Sequence, residues 1–365
     1  STLESLEMMA FGNIYRDRRV LLTGHTGFKG SWLSLWLKAL GAKITGLALS
    51  PNSSPSHWDL LDIEMDDKRI DIRNLREVTD TIQSTDPEIV FHLAAQPLVR
   101  RSYNDPLETW STNVMGIANV LEACRHKSSV QAIVVITTDK CYENYEWERG
   151  YHENDRLGGY DPYSASKAGA ELVVSSYRDS FFNHHSTPLV ASARAGNVIG
   201  GGDWSKYRLI PDCVKSWSKN KKVLLRNPNS TRPWQHVLEA IAGYLQLAAS
   251  IKKNKRLHGE VFNFGPSNTK NYKVLFVVKL MRKYWDKVSW KIADKSKNSF
   301  YESKLLKINS NKAKVKLKWK SILTFNETIN MVTEWYKNYY MNPKKIYKTS
   351  FNQIKQYENL LKKRY

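Results

Sequence analysis

Two periodicities of apolar and polar positions run through the first two hundred residues. Short runs in which nearly every residue is apolar or β-branched predict buried strands at 20–23, 42–49, 88–94, 130–137 and 188–194. Between them, apolar residues recur every three to four positions at 30–40, 75–84, 106–124 and 163–182, the period of a helix with one buried face. Buried strands separated by helices of this length predict an α/β fold with a doubly wound parallel sheet of Rossmann type.

After Gly196 the pattern loosens. Gly200, Gly201, Gly202 and Asp203 read as a loop, and 227–233 is rich in turn residues. Helical periods return at 209–219, 235–250, 272–285 and 325–340, with a short strand at 261–265. This divides the chain into an extension at 1–15, a sheet domain at 16–195 with returns near 235–265, a smaller mixed α/β C-terminal lobe at 196–340, and a tail at 341–365. The tail is rich in Lys and Tyr and carries little that would form a core. No repeat of solenoid length is present.

Charge is distributed unevenly. The net charge is +21, yet residues 1–250 carry 28 basic and 28 acidic side chains, and residues 251–365 carry 28 against 7. A basic surface can attract nucleic acid or an anionic membrane. Here Lys outnumbers Arg 25 to 3 in the basic third, whereas recognition of phosphates and base edges favours Arg. No nucleic-acid-binding signature accompanies it. The excess is read as a solvated Lys-rich surface, with no nucleic acid partner. Cys124, Cys141 and Cys213 are too few for a disulfide framework or a zinc site, so no metal is expected, and the odd count fits a reducing compartment. Residues 1–19 lack the apolar core of a signal peptide, and no apolar run approaches the roughly 20 residues of a membrane span. A cytoplasmic protein with no membrane partner is expected.

The first strand runs into Thr23-Gly24-His25-Thr26-Gly27-Phe28-Lys29-Gly30, which opens the first helix. Glycines three apart allow a tight turn and let backbone N–H groups approach a pyrophosphate at a helix N-terminus. His25 and Lys29 are polar candidates near those phosphates. The second strand ends Leu47-Ala48-Leu49-Ser50-Pro51-Asn52, with neither an acid for an adenosine ribose nor an Arg for a 2′-phosphate. Asp71-Ile72-Arg73 is a candidate adenine contact. His92-Leu93-Ala94-Ala95-Gln96 ends the fourth strand, where a cofactor would lie.

The chemistry concentrates around Tyr163-Ser164-Ala165-Ser166-Lys167. Spacing of i, i+4 puts phenol and ammonium on one helix face, and a neighbouring ammonium lowers a phenol's pKa so that it can accept a hydroxyl proton. With 19 Tyr and 37 Lys, about two such pairs arise by chance. The other, Tyr340 and Lys344, spans Pro343 and is read as accidental. The buried strand at 130–137 ends in Thr137-Thr138-Asp139-Lys140, an acid and an amine where a doubly wound sheet presents its chemistry.

Together 23–30, Asp71-Ile72-Arg73, 93–96, Thr138-Asp139, Tyr163 with Lys167, and 194–203 resemble the extended short-chain dehydrogenase/reductase family over residues 16–340. Within it, 24–32, 138–142 and 231–237 resemble the nucleotide-sugar 4,6-dehydratases, most closely the members acting on CDP-glucose. The resemblance implies that 16–195 binds NAD and that 196–340 binds substrate. It implies cofactor contacts from Gly24, His25, Thr26, Gly27, Phe28, Lys29, Gly30, Asp71, Ile72, Leu93, Ala94, Ala95, Thr137, Tyr163 and Lys167. Substrate contacts are implied for Gln96, Thr138, Asn197, Arg208 and Arg232, and more weakly for Arg100.

The implied reaction converts CDP-D-glucose to its 4-keto-6-deoxy form, as in the biosynthesis of O-antigen-type deoxysugars. Tyr163 takes the 4-hydroxyl proton as C4 is oxidised by NAD, and Lys167 assists it. Asp139 protonates the departing C6 hydroxyl, and Thr138 binds O4. Lys140 stands where commoner dehydratases have a Glu that removes the C5 proton, and it is expected to remove that proton or to stabilise the enolate. A 4-epimerase or decarboxylase of the same family is the nearest rival, but it has no use for an acid at Asp139. The helices at 106–124 and 163–182 are expected to pair subunits in a homodimer or homotetramer.

Overall fold

The computed structural model describes residues 10–183, 188–266, 271–293 and 305–364; residues 1–9 of the expected N-terminal extension lie outside them. Seven parallel strands form the central sheet, in the order Val261–Asn263, Leu189–Arg194, Ala132–Thr137, Ile89–His92, Arg19–Thr23, Lys43–Leu47, Asp66–Lys68. All six residues of Ala132–Thr137 are buried. Ala132, Val134 and Ile136 face one apolar layer and Ile133 and Val135 the other, which is why the sequence reads there as an unbroken apolar run. Val237–Lys253 packs on Ala132–Thr137 and Leu189–Arg194. Its neighbour Gln235–His236 is a two-residue strand paired with Val198–Ile199, so the helix starts later than its apolar period suggests.

Two local departures matter for function. The helix expected at 106–124 is interrupted by one π turn at Ser111–Met115, between Pro106–Trp110 and Gly116–Arg125. Such turns insert a residue and re-aim a side chain. Here Asn113 Nδ2 donates to Ser166 Oγ at 2.9 Å and to Gln96 O at 3.1 Å, while its Oδ1 accepts from Gln96 N at 2.8 Å. The second departure is the C-terminus, which the sequence presents as a basic tail with little core content. It is the helix Ile346–Arg364, with Ile346, Ser350, Gln353, Ile354 and Tyr357 buried. Ser350 Oγ meets His57 Nε2 at 3.0 Å and Trp335 Nε1 at 2.9 Å, and Trp36 Nε1 donates to Glu358 at 2.9 Å. Its lysines do lie outward, so the charge reads as solvated while the apolar stripe beneath it is core.

Glu239, on Val237–Lys253, ties this helix to residues 321–323. It is 1% exposed and accepts hydrogen bonds from Ile322 N, Leu323 N, Ser321 Oγ and Tyr357 Oη at 2.6–3.0 Å. Burial outweighs these donors and pushes Glu239 up to about 7. The neutral acid favours the fold fully below the ordinary value of 4.5. That contribution is lost as pH rises through about 7. The urea midpoint is therefore expected to drop between pH 5 and pH 8, and Glu239→Gln to remove that part of the drop. Equal slopes for both chains would contradict this. Among the described residues, no helix is long and apolar enough to cross a membrane.

Candidate active site

The glycine loop at the end of Arg19–Thr23 is built for close approach. Gly24 has φ 75°, and a Cβ there would fall 2.7 Å from Ala94 N; a Cβ on Gly30 would fall 2.0 Å from Gly24 O. Thr23 Oγ1 accepts from Leu93 N and Ala94 N at 3.1 and 3.2 Å, which locks the two strand ends side by side. The loop runs directly into the N-terminus of Phe28–Ala39. This is the cradle expected for a pyrophosphate.

The side chains within the loop divide. Thr26 Oγ1 donates to Leu49 O at 2.8 Å. His25 is fully buried against Gly46 and edge-on to Trp58, and its Nε2 meets Asp67 Oδ1 at 2.9 Å. Its imidazole is thus a packed core group and not the phosphate contact that the sequence suggested. Asp67 lies in Asp66–Lys68, whose pairing with Lys43–Leu47 brings a carboxylate beside the second strand's end, where the second strand itself supplies none. Lys29 Nζ donates to Tyr244 Oη at 3.2 Å. Burial, aided by Arg208 and Lys167 and opposed by Asp139, pushes Lys29 down to about 7. Asp71 is held by Arg73 at 2.6 Å, which keeps its carboxyl below the usual range, and Ile72 is buried against Gly116.

The residues expected to handle protons start at the carboxyl end of Ala132–Thr137, two strands along the sheet from the glycine loop. Asp161 caps the helix Pro162–Phe181 by accepting from Ser164 N at 2.9 Å, and Pro162 fixes its first turn. This sets Tyr163 and Lys167 one turn apart, both buried. Burial pushes Tyr163 up to about 12, against the opposing pull of Thr138 and Arg208. It pushes Lys167 down to about 8, with Glu171 opposing. The ammonium is expected to lower the phenol's pKa; in this structure burial raises Tyr163 instead.

Asp139 begins the turn Asp139–Cys141 after the strand. It is 4% exposed and receives Thr138 Oγ1 at 2.9 Å and Asn197 Nδ2 at 3.1 Å. Burial raises its pKa against the pull of Lys140, Thr138, Lys29 and Arg232. A carboxyl kept protonated above its usual range is suited to giving a proton. Gly196 makes the space, because a Cβ there would lie 1.8 Å from Asp139 Oδ2. Gly196→Ala is therefore expected to displace the carboxyl and cut kcat about 100-fold, the lower end for loss of a positioned acid. Unchanged turnover would show that Asp139 is not held there for chemistry.

The substrate-side expectations fare unequally. Asn197, at φ 51°, sits on Asp139. Arg208 Nη1 pairs with Asp203 Oδ2 at 2.8 Å, and Arg208 and Arg232 both lie close enough to act electrostatically on the site. Gln96 does not present a free carboxamide. Its Nε2 donates to Thr109 Oγ1 and Leu98 O and its Oε1 accepts from Leu98 N, so its side chain holds the loop. Arg100 stacks 4.2 Å over the Tyr207 ring. Tyr340 packs among Trp204, Trp285 and Tyr339.

Against known proteins, the family model described as GDP-mannose 4,6 dehydratase matches residues 21–332. The chain belongs to that family. Within the family's wider relations, the chain is 46% identical to the CDP-glucose 4,6-dehydratase of Salmonella typhimurium over 333 residues, 89% of this chain and 92% of the relative. It is 26% identical to the dTDP-D-glucose 4,6-dehydratase of Homo sapiens, over 72% of each chain. An epimerase of Methanothermobacter thermautotrophicus shares the fold, with TM-score 0.80 and 21% identity over 93% of this chain and 98% of its own. So does a UDP-glucose 4-epimerase of Brucella ovis solved with NAD, with TM-score 0.73 and 19% identity over 87% and 98%.

Sequence reasoning missed three side chains that this family member places around the site. Asn113 is hidden by the continuous apolar period of its helix. Glu171 repeats the i, i+4 spacing once more beyond Lys167 but reads as an ordinary helical acid. Asp203 is visible only as part of a glycine loop. Among the described residues, no group of three or more His, Cys, Asp and Glu could hold a metal ion.

Proposed function

We propose that this chain converts CDP-D-glucose to CDP-4-dehydro-6-deoxy-D-glucose and water. The observation that carries the reading is the buried acid Asp139, followed by Lys140 and held by Asn197 next to the pair Tyr163 and Lys167. An epimerase needs the second pair only. The 46% identity to a CDP-glucose 4,6-dehydratase supports the choice of nucleotide.

The cradle of Gly24, Gly27 and Gly30 fits NAD, because Gly24 and Gly30 admit the tight backbone turn that leads straight into the N-terminus of Phe28–Ala39, where a pyrophosphate is held. Its backbone, with Leu93, Ala94, Ala95 and Lys167, would hold the cofactor. Bound NAD supplies reversible two-electron redox chemistry for the sugar. Tyr163 takes the 4-hydroxyl proton. Lys167 lies one turn away on the same face and assists the phenol. Thr138 binds O4. The 4-keto group acidifies C5–H, and Lys140 either takes that proton as a neutral amine or stabilises the resulting enolate as an ammonium ion. Asp139 gives its proton to the departing C6 hydroxyl, which leaves as water. Arg208 and Arg232, with Lys29 nearby, balance the diphosphate's charge.

Leu107, Trp110, Met115 and Leu172 are exposed on Pro106–Trp110, the adjoining turn and Pro162–Phe181. These apolar faces support a homodimer through the paired helices. The buried thiols of Cys124, Cys141 and Cys213 suit a reducing, cytoplasmic setting. A panel of CDP-, dTDP-, GDP- and UDP-glucose with NMR of the products tests the function. The CDP sugar should give the 4-keto-6-deoxy product, and silence with all four would contradict the reading.

A further inference from the structure

The helix Pro162–Phe181 carries a third buried polar side chain on the face of Tyr163 and Lys167. Glu171 lies four residues beyond Lys167 and is 4% exposed. It accepts hydrogen bonds from Arg194 Nε at 2.8 Å and from Thr137 Oγ1. Arg194 reaches further: its Nη1 donates to Tyr142 Oη at 2.8 Å and to Glu153 O at 3.0 Å. Tyr142 Oη donates in turn to Asn263 Oδ1 at 2.7 Å. One buried guanidinium thus joins the helix bearing Tyr163 and Lys167 to the turn bearing Asp139 and Lys140.

A buried ion pair contributes little to stability compared with well-packed apolar side chains. The charge therefore calls for a local reason. The groups that act on Lys167 from the packed elements are Glu171 on its own helix, Cys141 on the turn, Lys29 on Phe28–Ala39 and His92 on Ile89–His92. Burial holds Cys141 as a thiol and His92, pushed down to about 3, as neutral imidazole. Lys29 has the same sign as Lys167. Glu171 is the anion in this set, and its partner Arg194, at the end of Leu189–Arg194, carries the positive charge set against it.

We propose that Glu171, fixed by Arg194 and Thr137, is a positioning residue that supplies the buried negative charge keeping Lys167 an ammonium ion during turnover. The proposal rests on the reading of Tyr163 and Lys167 as the proton-handling pair. It also explains why Thr137, expected to touch the cofactor, spends its hydroxyl on Glu171.

Glu171→Gln keeps the shape and an acceptor for Arg194 and Thr137 but removes the charge. The alkaline limb of kcat/KM for CDP-glucose should move down by about one pH unit, the low end of what a nearby opposite charge produces. NAD affinity should fall at pH 8 and hold at pH 6. The double variant Glu171→Gln with Arg194→Met removes the stranded guanidinium and should recover thermal stability and, because it also removes a positive charge, bring the limb part of the way back. A limb that stays in place in the single variant would overturn the proposal. So would failure of both variants to fold, which would assign the pair to the core. If the wild type turns over no sugar nucleotide, the functional reading fails by itself, and the pH dependence of NAD binding still decides the role of Glu171.

Discussion

Tyr163→Phe should lose about a thousandfold in kcat with CDP-glucose, within the roughly 100- to 10,000-fold that a positioned acid or base contributes. The substitution removes one oxygen from a side chain only 7% exposed and leaves the ring packing intact. Its thermal midpoint and its affinity for the nucleotide should therefore stay near wild type, which isolates the chemical step. The phenol is the group at issue because it starts the helix that also holds Lys167, one turn away. Burial, with the carboxylates of Asp139 and Asp161, pushes it up to about 12 against the pull of Thr138 and Arg208, so its proton-accepting form depends on the positive groups around it. Initial rates over a range of substrate concentrations check the prediction. A fall in kcat/KM through KM alone would assign Tyr163 to binding.

The second large effect separates dehydration from oxidation. Asp139→Asn is isosteric and keeps a partner for Asn197, but it has no acidic proton to give. Oxidation at C4 should persist, whereas loss of the C6 hydroxyl should slow by about 100- to 10,000-fold. Quenching with borodeuteride should then yield hexoses labelled at C4 that still carry the C6 hydroxyl. The raised pKa of Asp139 sets the sign of the pH dependence. The protonated form persists above the ordinary carboxyl range, so wild-type dehydration should decline only as pH climbs past that raised value. Full dehydration by the Asn variant would remove Asp139 from the mechanism.

Much of this architecture can be read from the chain because its signals are local. The strand 132–137 is buried on both faces and therefore appears as an unbroken apolar run. Tyr163 and Lys167 are legible because i, i+4 spacing on a helix is also proximity in space. Other features depend on contacts that no local pattern carries. Gln96 follows a strand end and reads as a ligand contact, yet Thr109 and Leu98 consume its carboxamide. Asn113 turns inward because of one π turn that the apolar period runs straight through. His25 sits in a phosphate loop by sequence and in the core by structure, since the Gly46 site leaves room for its ring. The C-terminal helix hides its stripe of Ile346, Ile354 and Tyr357 among lysines. The +21 charge drew attention to that segment as a surface, when its structural contribution comes from the uncharged positions.

The most direct measurement follows a deuterium label through the sugar. CDP-glucose labelled at C4 is incubated with the enzyme and NAD, and the product is analysed by NMR. The product should be a 4-keto-6-deoxy sugar with the label at C6, because the hydrogen removed in the oxidation is the one restored after water leaves. Label retained at C4, or no conversion of the CDP sugar, would contradict it.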